Sequence, residues 1–188
     1  MQLDFATKNS NRFSSWFKNP RNLVITALAV VVLIAIGIFF FGRGNQSVKP
    51  NPMVQINRTY TVVARTSERK ATDGNFTLKL TSAEIGNSIL VQGKTARPIK
   101  GKVFLILNME IENPYKVALY AFPVDLFRFV RTDGQKFAPS VHQGTVEIRP
   151  QATKKSNVAF VVSPGDKKFT IEVGEIGKEK QTLEITFR

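Results

Sequence analysis

The sequence predicts an all-β chain: an antiparallel β-sandwich tethered to one N-terminal transmembrane helix. Three observations lead there. Residues 23–41, LVITALAVVVLIAIGIFFF, carry no charge. From Tyr60 onward, apolar residues recur at period two in short runs separated by turn signals, the pattern of half-buried strands. The chain contains no cysteine, so neither disulfides nor thiolate metal sites can hold it together, and an exported domain of this kind relies on its core.

The apolar run comes first. At about 1.5 Å rise per residue, a helix over 23–41 is about 29 Å long, close to the roughly 30 Å hydrocarbon layer of a bilayer. Fourteen of its nineteen residues are Leu, Ile, Val or Phe. At about 0.3 to 0.6 kcal/mol each near mid-membrane, insertion is favourable by several kcal/mol. The run ends Phe39, Phe40, Phe41, Gly42, Arg43, which lacks the small-residue pattern of a cleavage site, so an uncleaved signal anchor is expected. Lys8, Arg12, Lys18 and Arg21 precede it, and only Arg43 and Lys49 follow closely. That bias places the N-terminus in the cytoplasm and the remainder outside, in a single-pass protein of the plasma membrane. Asn19 can cap the helix and Pro20 suits its first turn.

The chain therefore divides into a cytoplasmic tail (1–19), a transmembrane helix (20–42), a stalk (43–58) and one sandwich domain (59–188). The stalk stretch GRGNQSVKPNP, residues 42–52, has no apolar period and is rich in Gly, Pro and Asn. The formal charge of +13 is spread over the whole chain, and residues 59–188 hold twenty Lys and Arg against thirteen Asp and Glu. A basic domain beside an anionic membrane or wall polymer is drawn to it in a salt-dependent way.

Within the domain, Tyr60, Val62 and Ala64 begin a strand. Asp73-Gly74 reads as a turn leading to Phe76, Leu78 and Leu80, and Ile89 and Val91 form a short strand. The clearest strand is GKVFLILNMEIEN, residues 101–113. Val103, Leu105, Leu107, Met109 and Ile111 line one face, and Asn108, Glu110 and Glu112 show on the other. Phe104 and Ile106 make its first half apolar on both sides, which suits a central strand covered by a loop or a partner. Residues 117–120 read as an edge strand between Pro114 and Pro123. DLFRFVRTDGQKFAP reads as a hairpin, with Phe127 and Phe129 inward, Asp133-Gly134 as the positive-φ turn and Phe137 returning. Val158, Phe160 and Val162 alternate up to the Pro164-Gly165 turn. Phe169, Ile171 and Val173 make another strand, and Leu183, Ile185 and Phe187 make the last. Eight to ten such strands, with no helical stretch among them, argue for the sandwich.

The succession GKVFLILNMEIENPYKVAL, DLFRFVRTDGQKFAPS and IRPQATKKSNVAFVVSP resembles the telokin-like, immunoglobulin-type domain of unknown function found on bacterial lipoproteins and membrane-anchored surface proteins. The resemblance covers about residues 59–188. It runs through Asp125, Phe127, Phe129, Asp133, Gly134 and Phe137 in the hairpin, and Pro150, Phe160, Val162 and Pro164 later. Gln151-Ala152 departs from the Gly that usually follows Pro in that family. The resemblance implies an immunoglobulin-like antiparallel β-sandwich and no common enzymatic activity; it specifies a fold and no site.

No catalytic, metal-ligating or cofactor-binding set can be assembled, and no cofactor is expected. His142 is the single histidine, too little for a His-rich metal site or a nucleophile–base pair. Glu110 and Glu112 share a strand face and read as its wet side; Asp133 is first a turn former. Three Asn-x-Ser/Thr triplets, at Asn45, Asn57 and Asn75, are too common by chance to carry weight. The surface feature with most to say is KTARPIKGK, which supplies Lys94, Arg97, Lys100 and Lys102, with a second basic cluster at Arg149, Lys154 and Lys155. These seven residues are the candidate contacts for a polyanion or a partner. The loop holds no aromatics to stack bases, which disfavours nucleic acid. Two functions are expected. The first is a membrane-anchored, non-catalytic extracytoplasmic module that docks to another cell-envelope protein as an accessory subunit. The alternative is recognition of an anionic ligand, whether lipid headgroups, wall polymer or the disfavoured nucleic acid, through the basic loops. In both, residues 23–41 hold the chain in the lipid bilayer.

Overall fold

Two long antiparallel strands, β1 (Met53–Arg65) and β2 (Ala71–Gly86), open the computed structural model, which describes residues 51–188. Among the described residues no helix is long and apolar enough to cross a membrane, and the expected span at 20–42 lies outside them. β1 starts six residues ahead of the expected domain boundary at 59, which shortens the stalk from its C-terminal side. The inward row there is only Val54 and Ile56 before Arg58, registered opposite buried Leu80, interrupts it, so the alternation is too brief to read.

The turn between β1 and β2 lies at residues 66–70, where Arg69 adopts φ 68° and the Thr66 and Arg69 N–H groups close it. The turn expected at Asp73-Gly74 is instead part of β2. Gly74 serves close approach: a Cβ there would sit 3.1 Å from the Tyr115 ring, whose hydroxyl accepts the Asn75 N–H at 3.0 Å.

β3 (Ile89–Val91) and β4 (Lys94–Ala96) form a small hairpin, and β5 (Val103–Asn113) is an interior strand, buried along nearly its whole length. Ile89 joins Phe104, Ile106 and Ala159 in a second apolar cluster, with Val91, Ala96 and Val141 against it. The outward side of Phe104 and Ile106, expected to be covered by a loop or a partner, is covered by the chain's own hairpin.

β6 (Leu119–Ala121) is paired on both sides and is not the edge strand expected near 117–120. Asn113 draws this region inward. Fully buried, its amide donates to the Val117, Ile148 and Arg149 carbonyls, and its oxygen accepts the Tyr115 N–H. One helical turn follows, α1 (Pro123–Leu126), started by Pro123 at its first position; the absence of helix expected from the sequence does not hold there.

The Asp-Gly hairpin forms as expected. β7 (Phe127–Val130) pairs with β8 (Lys136–Phe137), and Gly134 takes φ 82°. Phe127 is buried, but Phe137 stays 40% exposed because β8 is an edge. The remaining strands are β9 (Val141–His142), β10 (Val146–Ile148), β11 (Ala152–Val162), β12 (Lys168–Val173) and β13 (Gln181–Thr186).

A seven-stranded sheet in the order β10-β6-β1-β2-β5-β11-β9 faces a four-stranded sheet in the order β13-β12-β7-β8. Their inner rows meet in one core. Leu78, Leu105, Leu107 and Phe160 of the larger sheet pack with Phe127, Phe169, Ile171 and Ile185 of the smaller, and the Phe129 ring lies 6.1 Å from that of Phe160. The β-sandwich is therefore observed, with thirteen strands among the described residues where eight to ten short ones are expected, four of them eleven residues or longer.

Candidate functional site

Positive charge without chemistry is what the sequence offers, so the useful question is where the fold puts that charge. Val103, at one end of β5, pairs with Val162; Asn113, at the other, pairs with Ala152. At about 3.3 Å per residue the two ends are about 33 Å apart. Lys102 lies just beyond the first end, where its Nζ donates to the Ser163 hydroxyl at 3.0 Å, and Arg97 and Lys100 share the same loop. Arg149 lies beyond the second end, with Lys154 and Lys155 two and three residues inside it on β11. Lys94 sits at the β3–β4 turn. There Gln92 is bonded to Gln143, and Gln143 to Asn157, on the outer side of the sheet. Six of the seven candidate residues therefore form two separate groups of three, and Lys94 stands apart on the β3–β4 hairpin.

The second group borders a strand edge with a hollow beside it. β11 pairs with β5 along its full length, but on its other side β9 engages only Val158 and Ala159. The edge of residues 152–156 is left unpaired among the described residues. The chain reaches it through the tight turn after β10, where Gln151 takes φ 51° and its N–H donates to the Tyr115 carbonyl. A left-handed residue at 151 is what a following Gly would ordinarily supply, so Gln151 fills the same conformational role at some cost.

Between β10 and this edge lies a groove of about 420 Å³, bordered by Glu147, Arg149, Lys154, Lys155 and Ser156. Ser156 is 8% exposed, and its hydroxyl has no hydrogen-bond partner among the described residues. A buried hydroxyl left unpaired costs about 1–3 kcal/mol, which a bound acceptor or donor would recover. Lys155 reaches Glu110 across the strand pair at 3.6 Å while remaining almost wholly exposed, so that pair contributes little and leaves the ammonium accessible. Arg149 and Lys154 make no ion pair among the described residues. The groove is net positive even with Glu147 on its wall.

The other polar candidates have local roles. His142 accepts the Gly144 N–H at Nδ1 over 3.0 Å, which shapes the turn after β9. Asp133 is ion-paired with Arg131 and accepts the Gln135 N–H. Arg131 first, and then that N–H, hold its carboxyl below the usual aspartate value. Glu110 and Glu112 stand on the outer face, and no group of three or more metal-ligating side chains occurs among the described residues.

Arg149, Lys154 and Lys155 are readable in the sequence as charge. Ser156 is not among the expected residues, although the signal exists: it is a polar residue at an inward position of the series Lys154, Ser156, Val158, Phe160, Val162. The open edge has no sequence signal, because it depends on where β9 stops pairing.

No family model matches the chain, and no curated protein matches it either. Among solved structures, an uncharacterized beta-sandwich protein from Clostridium difficile 630 is 15% identical with a TM-score of 0.48, over 76% of this chain and 99% of that one. A conserved hypothetical protein from Bacillus anthracis is 12% identical with a TM-score of 0.44, over 72% and 99%. A functionally unknown protein from Listeria monocytogenes EGD-e is 10% identical with a TM-score of 0.38, over 71% and 89%.

Proposed function

We propose that this chain is a membrane-anchored, non-catalytic docking module of the cell envelope, held in the plasma membrane by residues 23–41 with its immunoglobulin-like sandwich outside. Its working element is the open edge of β11, which receives an extended acidic segment of another envelope protein by strand addition. The observation that carries this reading is the unpaired edge at 152–156, flanked by the groove with Arg149, Lys154 and the unpartnered Ser156 hydroxyl. Main-chain hydrogen bonds supply affinity along such an edge, and the cations select for acidic side chains. The telokin-like resemblance of residues 59–188 to domains of membrane-anchored surface proteins points the same way.

The test is site-specific photo-crosslinking of the intact protein in its membrane. A crosslinker at Thr153 is expected to capture one defined protein, and the capture is expected to fall at least about tenfold when Arg149 and Lys154 are changed to Glu. A crosslinker at Thr182, on the edge of the smaller sheet, serves as the control. Monomer bands alone at Thr153, or equal capture at Thr182, would remove the reading. The groove's cations and free hydroxyl also suit a second occupant, an anionic wall polymer. That case is recognised by an adduct that survives protease and is lost on digestion of the wall.

A further inference from the structure

We infer that the end of the sandwich at which the chain enters from residues 23–41 is a docking face for an anionic lipid surface, which rests on the membrane-anchored reading above. The location follows from register. Met53 pairs with Glu84, and a Cβ on Gly86 would lie 3.2 Å from the Asn51 amide, so the start of the domain sits at the end of β2. Gly86 pairs with Phe104, and Val103 with Val162, which brings the loop before β5 and the turn after β11 to the same end. The Phe187 N–H donates to the Lys167 carbonyl at 2.8 Å, which adds the last residues of the chain.

These three segments, 97–102, 163–168 and 187–188, carry six exposed cations: Arg97, Lys100, Lys102, Lys167, Lys168 and Arg188. Asp166 is the one acidic side chain in them. None of the six cations is in an ion pair among the described residues. The far end is different. There Arg65 and Lys178 pair with Glu175, Arg69 with Asp125 and Lys70 with Glu68. Arg149 and Lys154 are unpaired among the described residues at that end as well, beside the open edge of β11, whereas where the chain enters six unpaired cations stand in three adjacent segments. In their midst Ile99 is 70% exposed, between Arg97 and Lys100 in the loop closed by the Lys102 N–H on the Ile99 carbonyl. An apolar side chain ringed by cations suits the interface of an anionic bilayer, where the aliphatic group enters the headgroup layer and the cations meet phosphates.

The linker fits this use. Eleven residues, 42–52, separate the apolar run from β1. At no more than about 3.6 Å per residue, eleven residues reach at most about 40 Å, which keeps the basic end within reach of the surface.

With no native cysteine, a single Ile99→Cys substitution can be labelled uniquely with a fluorophore, and Ser67→Cys in the far turn is the control. The probe is the full chain in nanodiscs of phosphatidylcholine, with or without phosphatidylglycerol, each containing brominated lipid as quencher. Quenching at 99 but not at 67 is expected in the anionic discs alone. It is expected to disappear at about 0.5 M salt, where the Debye length has fallen to about 4 Å. Combined Lys100→Glu, Lys167→Glu and Lys168→Glu changes are expected to abolish it, and the lipid and salt comparisons decide the matter without those variants should they fold poorly. A chain that inserts but leaves position 99 as unquenched as 67 overturns the docking face and spares the anchor. A chain that fails to enter nanodiscs overturns both.

Discussion

At the scale of the residue, Tyr60 shows how a side chain can be buried by its strand position at a cost. It lies in the inward row of β1, opposite Leu78, and its hydroxyl has no partner of acceptable geometry. Burial pushes the phenol above its ordinary value of 10.0, and the Arg58 charge only partly offsets this. A folded-state value above the unfolded one means that the native state holds its proton more tightly. Stability from this source is present below about pH 10 and is lost as pH climbs through the raised value. Tyr60→Phe is therefore expected to be neutral or stabilising by about 1 kcal/mol at neutral pH, since an unpaired buried group is removed. The variant's advantage is expected to widen above pH 10. Lys180, held low first by burial and then by the Arg128 charge, titrates in the opposite sense, but it is common to both proteins and cancels in the difference. Urea melts of the pair at pH 7 and pH 10.5 provide the check; a variant less stable than the parent at both would show that the hydroxyl is satisfied in solution.

At the scale of the element, what could be read from the sequence was what each segment decides for itself. β12, β13 and the second half of β5 bury alternate residues, and the Asp133-Gly134 hairpin closes where its turn chemistry says it should. The failures come from contacts distant in sequence. Gly74 looks like a turn residue until Tyr115 lies on it, and only the fold shows that the cover Phe104 calls for, a loop or a partner, is the β3–β4 hairpin. The candidate site divides in the same way: the cations of Arg149, Lys154 and Lys155 were legible, whereas the Ser156 hydroxyl matters only because β9 leaves the edge open. The β3–β4 hairpin is held at its tip by Gln143, which accepts the Gln92 N–H and donates to the Leu90 carbonyl and to Asn157. Gln143→Ala is expected to raise amide exchange about tenfold over residues 89–96, matching about 1.4 kcal/mol of local opening, with β5 unchanged. Unaltered exchange in the hairpin would mean that the apolar cluster beneath it suffices.

At the scale of the whole molecule, the two sheets are joined by a charge at the end opposite the one where the chain enters. Glu175, in the loop between β12 and β13, reaches across to the larger sheet. Its carboxylate accepts the Val63 N–H at 2.8 Å and pairs with Arg65 at 3.3 Å and Lys178 at 3.4 Å, with the side chain only 11% exposed. Such a carboxylate stabilises through charge-assisted hydrogen bonds to backbone and guanidinium together, whereas exposed pairs such as Lys70–Glu68 contribute little. Glu175→Ala strands the Val63 N–H and leaves Arg65 unpaired, so a loss of about 2–3 kcal/mol is expected. Glu175→Gln keeps an acceptor for Val63 and is expected to lose about half as much. Because the core is continuous between the sheets, both variants are expected to unfold in a single transition with an unchanged denaturant slope, read by circular dichroism and by Tyr fluorescence together. Separated transitions would show that the sheets depend on this clasp to unfold as one. Neither substitution touches the cations at the opposite end, so lipid quenching at position 99 should persist in both, which separates what closes the sandwich from what would hold it to a membrane.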